Sequence, residues 1–155
     1  MGCIVLSPFF IEAFRKIMIS VLIADDHSLV RKALQRLLEM EGDMQIVAIA
    51  ADGQEAVEQA VLYCPNVAVM DLSMPVLNGI EATKQICARG LETRVLILSM
   101  YDTPYYVHSG IQAGASGYVL KDVACDELVI AIRTVFQGNR YFSQQIAEAT
   151  QHFIQ

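Results

Sequence analysis

Positive charge is scarce in this chain and nowhere concentrated: 11 Lys and Arg stand against 17 Asp and Glu in 155 residues, a net charge of -6. Holding nucleic-acid phosphates takes clustered cations, so this segment is not expected to contact DNA itself. Cysteine is sparse too. Cys3, Cys64, Cys87 and Cys125 stand far apart, without the C-x-x-C or Cys/His grouping of a zinc or redox site, and read as free buried thiols of a cytoplasmic protein. No low-complexity tract is present, and 54% hydrophobic residues exclude disorder for most of the length. An apolar run long enough to span a membrane is also missing. Pro8 interrupts the stretch from Cys3 to Phe14, and Arg15 and Lys16 follow it, the reverse of a secretory signal. Leu6 occupies the position where a myristoylation signal wants Ser or Thr. Residues 1–17 are read as an N-terminal extension ahead of a natural start at Met18, with a short membrane-touching or dimer-forming helix as the rival reading.

What remains is one domain's worth of chain with room for a proper core. From Met18 two kinds of segment alternate. Apolar strand runs are expected at Ile19 to Ala24, Gln45 to Ala50, Val67 to Met70, Arg94 to Leu98 and Gly117 to Leu120. Helical periodicity fills the gaps. Leu29, Val30, Ala33, Leu34, Leu37 and Leu38 share one side of the first helix, which Asp26, His27 or Ser28 could cap and Gly42 ends. Asp52 is expected to cap the second helix, with Glu55 in a capping-box relation and Ala56, Val57, Ala60 and Val61 inward. Asn78-Gly79 opens the third, Thr103 to Ala113 forms a weaker fourth closed by Gly114, and Ala124 to Phe136 forms a strong fifth that Gly138 stops. Continuous rather than alternating apolar strands mean a sheet covered on both faces. The fold class predicted is therefore α/β, a doubly wound five-stranded parallel sheet of flavodoxin-like (βα)5 type with strand order 2-1-3-4-5. After Gly138, Tyr141 and Phe142 lead into Ser143 and a polar helical tail that buries little.

The chemistry gathers at strand ends. Asp71 ends the apolar run Val67 to Met70, and Pro75 follows shortly. Alone, it is either a strand-end cap or a working group. Yet Asp25 and Asp26 end strand one, Ser99 ends strand four and Lys121 ends strand five. In this strand order, strands one and three meet at the topological switch point, where ligands bind outside the carboxyl ends. Three carboxylates, a hydroxyl and an ammonium should therefore converge. Carboxylates that close repel unless one is protonated or a cation neutralises them, and oxygen-only ligation with one open face suits Mg²⁺. Asp71 is then a carboxylate nucleophile able to attack phosphorus, Lys121 neutralises phosphoryl charge, and Ser99 hydrogen-bonds a phosphoryl oxygen. A metal-dependent phosphatase is disfavoured, because Ser73 stands where its second acid would be.

From Met18 to about Gly138 the chain resembles the receiver domain of two-component response regulators. The motifs are Asp25-Asp26-His27, Met70-Asp71-Leu72-Ser73-Met74-Pro75 with Asn78-Gly79, Ile97-Leu98-Ser99-Met100, and Gly117-Tyr118-Val119-Leu120-Lys121-Asp122. The start Ala24-Asp25-Asp26-His27, the Leu120-Lys121-Asp122 ending and the Tyr141-Phe142-Ser143 tail are similar to the LuxR/NarL-type branch. The resemblance implies that Asp71 accepts a phosphoryl group from a sensor histidine kinase, and that the chain is a signalling switch rather than an enzyme. It implies Mg²⁺ held by Asp26, Asp71 and the Ser73 backbone carbonyl, with Asp25 acting through water, and a switch made of Ser99 and Tyr118. Ser73 and Tyr101 would flank the phosphoryl position and tune hydrolysis. Ser rather than Thr at 99 loosens the rotamer, and Asp122 rather than proline after Lys121 leaves that peptide geometry open. The expected layout is an extension at 1–17, the receiver at 18–138 and, at 139–155, the start of a linker helix to an absent effector. DNA would be reached through that missing C-terminal helix-turn-helix domain, and a homodimer on phosphorylation is allowed. The alternative is a stand-alone or pseudo-receiver acting as a protein-interaction scaffold.

Overall fold

The structure, a computed structural model, describes residues 2, 7, 8 and 17–151. The readings made for most of residues 1–17, and for Cys3, lie outside the described residues. Over residues 17–151 six strands and six helices follow in order: β1 Ile19–Ala24, α1 Ser28–Glu39, β2 Met44–Ala50, α2 Gly53–Tyr63, β3 Val67–Met70, α3 Gly79–Ala88, β4 Arg94–Ser99, α4 Pro104–Ala113, β5 Gly117–Leu120, α5 Ala124–Phe136, β6 Tyr141–Phe142 and α6 Gln144–Ala149. A short 3₁₀ turn over Lys121–Val123 joins β5 to α5. All pairings are parallel, in the order β2-β1-β3-β4-β5-β6.

The expected strand order holds for the first five strands, but the count of five is corrected to six. Tyr141 and Phe142 pair with Gly117 and Tyr118. Two aromatic residues are too short a run to read as a strand by periodicity. The available edge of β5 makes them one, and Gly117 lets them approach: a Cβ there would lie 2.5 Å from the Tyr141 carbonyl oxygen. The expectation that the tail buries little is overturned with it, since Ser143, Ile146 and Thr150 are all buried.

Alternate strand residues feed two cores. Val21, Ile23, Val67, Val69, Leu96, Leu98 and Val119 face α1 and α5, while Leu22, Ala24, Ala68, Met70, Ile97 and Tyr118 face α2, α3 and α4. This is why the strands read as unbroken apolar runs: both faces are covered. Two caps form as the sequence predicts, with Asp52 Oδ1 accepting from Glu55 N at 2.8 Å and Asn78 Oδ1 accepting from Glu81 N at 2.9 Å. The first helix differs. Its N-cap residue is His27, with no side-chain cap bond, and it ends at Glu39, before Gly42. Leu29 and Val61, read as inward, lie on the solvent side. The described cysteines are free, but Cys64 and Cys125 are exposed rather than buried. Among the described residues no helix is long and apolar enough to cross a membrane.

Candidate functional site

Register decides what meets at the carboxyl edge. Ala24 is level with Met70 across β1 and β3, so Asp25 and Asp71, one residue further on, leave neighbouring strands at the same height. Backbone bonds hold both there: Asp71 N donates to Ala24 O at 2.9 Å and Asp25 N to Ala50 O at 3.1 Å. Ser99 is level with Leu120 across β4 and β5, and Lys121 comes next. Its long side chain reaches back over the end of β4. Lys121 Nζ lies 2.8 Å from Asp25 Oδ2 and 3.3 Å from Asp71 Oδ1.

Asp25 and Asp71 are only 1% and 5% exposed, whereas Asp26 opens to solvent. Burial, then the neighbouring Asp25 charge, push the Asp71 carboxyl above the ordinary carboxylate range, against the pull of Lys121. At Lys121 burial alone would lower the ammonium, but the hydrogen bond to Asp25 and the charge of Asp71 outweigh it and raise it. The Lys121 ammonium is thus shared by two buried carboxylates, while Arg31 Nη1 donates to the Asp25 backbone carbonyl at 2.7 Å rather than to a carboxylate.

Asp25, Asp26, His27 and Asp71 each present a ligand atom, and these atoms all lie within 4.8 Å of one another. His27 Nδ1 is 2.9 Å from Asp26 Oδ1 and 3.2 Å from Asp25 Oδ1, and its backbone N–H donates to Asp25 Oδ1 at 2.9 Å. The spacing and the under-neutralised carboxylates fit a hard divalent cation entering from the Asp26 side.

Ser99 is fully buried, and its hydroxyl is engaged by the following loop, accepting from Tyr101 N at 3.0 Å. Tyr118 lies inward, 1% exposed, its hydroxyl donating to the Tyr101 carbonyl. Burial foremost pushes that phenol up to about 12. Tyr101 therefore links the two residues through its own backbone, one group from each. Its ring stacks on Tyr106 with centroids 4.5 Å apart, and its hydroxyl stands 3.4 Å from the exposed Ser73 Oγ. The Lys121–Asp122 peptide is trans.

Two residues that shape the site were not singled out for that role in the sequence. Gly79 packs the start of α3 against Asp71: a Cβ there would sit 2.0 Å from the Asp71 carbonyl oxygen. Val76 adopts φ 69° in a tight turn where Leu77 N donates to Pro75 O at 2.7 Å, a conformation costly for a β-branched residue. The Asn78-Gly79 pair was a visible signal for the first; nothing local marks the second.

Residues 21–133 match the response regulator receiver domain family. The chain is 41% identical over 128 residues to the transcriptional regulatory protein DegU of Brevibacillus brevis, covering 83% of this chain and 54% of that protein. It is 42% identical over 127 residues to the oxygen regulatory protein NreC of Staphylococcus aureus, covering 81% and 58%. The chain thus spans little more than half the length of these curated relatives. A two-component response regulator of the LuxR family from Aurantimonas sp. SI85-9A1 superposes with a TM-score of 0.83 at 36% identity, over 87% of this chain and 96% of that one. The family model, the relatives and the fold agree, and the chain belongs to the response-regulator receiver domain family, among homologues of the LuxR/NarL type.

Proposed function

We propose that this chain is a phosphorylation-controlled switch in which Asp71 accepts a phosphoryl group from a histidine kinase. The observation that carries the reading is a cluster of three carboxylates in which the two buried ones, Asp25 and Asp71, share the ammonium of Lys121 and the third, Asp26, stands open beside them. An oxygen of Asp71 attacks the phosphorus of a phosphohistidine; a P–O bond forms as the P–N bond breaks, and the electron pair returns to the imidazole. Asp26, Asp71 and the Ser73 backbone carbonyl would hold Mg²⁺, with Asp25 acting through water. When bound, that ion supplies the charge neutralisation that lets an anionic carboxylate meet an anionic phosphoryl group.

Lys121 neutralises charge on the transferring phosphoryl oxygens from the side opposite Asp26. Ser99 turns its hydroxyl from Tyr101 N to a phosphoryl oxygen. Because Tyr101 also holds the Tyr118 hydroxyl, that turn is felt along the loop after β4 and at the β5 ring, a local charge change biasing a two-state element. Ser73 and Tyr101, close to each other at the mouth, tune hydrolysis of the aspartyl phosphate. The chain modifies and slowly restores only itself. Residues 18–138 form the receiver, and residues 139–155 lead toward a DNA-binding output domain through which transcription is controlled, with homodimer formation on phosphorylation.

The test is incubation with acetyl phosphate and Mg²⁺. An acid-stable, base-labile phosphoryl adduct that is absent in Asp71→Asn is expected. A native chain that stays unmodified overturns the reading.

A further inference from the structure

The docked tail raises a question that the switch alone does not answer: why does a serine between β6 and α6 lie 98% out of solvent contact, with 2% exposed? Ser143 N donates to Tyr118 O at 3.0 Å, continuing the parallel ladder between β5 and β6. The next rung would be Leu120 N to the Ser143 carbonyl. That carbonyl is already taken, because it accepts from Ala147 N at 2.9 Å as α6 begins. The side chain replaces it: Ser143 Oγ accepts from Leu120 N at 3.1 Å and its hydroxyl donates to Glu127 Oε2 of α5 at 2.7 Å. A bond to a carboxylate is stronger than one to a neutral acceptor. Burial and then the Glu127 charge raise the neighbouring Tyr141 phenol.

Leu120 is the last residue of β5, and Lys121 follows it directly. Without Ser143 the Leu120 N–H would be left unpaired in a buried place, and the Val119–Leu120 peptide, one residue before Lys121, would lose its anchor on this edge of the sheet. No residue on the receiver's first five strands supplies that acceptor among the described hydrogen bonds.

Resting on the functional reading above, we propose that Ser143, braced by Glu127, is a positioning residue for Lys121, so that the segment after the fifth helix completes the phosphoryl-transfer site. The tail fixes the end of β5 from which the Lys121 ammonium projects. Displacing it moves Lys121 off the phosphoryl oxygens while leaving Asp25, Asp26 and Asp71, on β1 and β3, where they are. By reciprocity, any change at Lys121 on phosphoryl transfer is felt by the tail.

The test uses the full chain and separates rate from metal binding. Ser143→Ala is expected to slow Asp71 phosphorylation by acetyl phosphate at saturating Mg²⁺ by about tenfold, the scale of a misplaced group, with Mg²⁺ affinity unchanged. Ser143→Thr, which keeps the hydroxyl, restores the rate, and Glu127→Ala gives a smaller loss in the same direction. In a Lys121→Met background Ser143→Ala should add nothing, because it acts through the missing ammonium. Native rates in both Ser143→Ala and Glu127→Ala overturn the proposal, as does an equal loss with and without Lys121. Should Ser143→Ala fail to fold, Glu127→Ala decides. If the native chain accepts no phosphoryl group, the functional reading fails instead. The Lys121 ammonium resonance by NMR then still tests the positioning: shifted in Ser143→Ala it stands, unmoved it falls.

Discussion

The two ends of the same sheet use the same kinds of groups to opposite effect. At the amino end, polar atoms close on each other. Asn66 Oδ1 accepts from Ser20 N and Ser20 Oγ at 2.8 and 2.9 Å, and Asn66 N donates back to Ser20 Oγ at 2.9 Å. Thr93 Oγ1 donates to Pro65 O. The ions there stay at the surface, where Arg133 forks onto Asp43 at 2.9 and 3.0 Å and reaches Glu41 at 2.9 Å. At the carboxyl end two of the three anions, Asp25 and Asp71, are buried and share one ammonium. The first arrangement is self-sufficient. The second is complete only when charge arrives from outside, which is what a site for a cation and a phosphoryl group requires.

The sharpest break in this contrast is Gly79→Ala. Its Cβ would meet the Asp71 backbone at 2.0 Å, and neither α3 nor β3 can retreat without opening the core. A loss of about 3 kcal/mol in urea unfolding is expected, together with loss of phosphorylation. An unaltered midpoint would mean that the carboxyl end is looser than described.

Asp71→Asn should act in the opposite sense. The folded-state pKa of Asp71 lies above its ordinary value, so in the window between the two the native state holds more protons than the unfolded one. Stability from this group therefore falls as pH rises through that window, and the native protein carries the whole penalty once pH is above the folded-state pKa. Without divalent cation the Asn variant is expected to be about 1 kcal/mol more stable at pH 7, with the difference shrinking as pH approaches the ordinary carboxylate value. Thermal melts across pH measure it. Destabilisation at pH 7 would show that Lys121 outweighs the burial.

The smallest effect is expected at the amino end. Arg133→Ala removes a fork between partly exposed partners, worth roughly 0.5 kcal/mol and fading in 1 M salt. A large, salt-insensitive loss would erase the distinction between the two ends.

How much of this was legible from residues alone follows the same division between local and non-local causes. The five main strands, the Asp52 and Asn78 caps and the crowding of Asp25, Asp71 and Lys121 at strand ends are written in short runs, and the strand order turned them into a crevice. The β6 strand and the Ser143 bridge were not legible, because their partner is an edge more than twenty residues earlier in the chain. Gly79 was visible only as a helix opener; its closeness to Asp71 depends on how α3 is swung over the sheet. Leu29 matched the inward period of α1 yet lies outside the contact with the sheet, since the apolar pattern there is wider than the strip that the strands cover.

The sealed edge of β5 has a consequence for assembly. A sheet can recruit a second chain by adding a strand to an open margin. Here Ser116 O, Tyr118 O and Leu120 N on that margin are already answered by Tyr141 N, Ser143 N and Ser143 Oγ. A partner arriving from this side must unpin the tail to reach β5, and with the tail docked it meets only the two-residue β6. A longer ladder is offered by β2, the opposite margin, so the two residues of β6 shorten the edge that this side of the sheet presents.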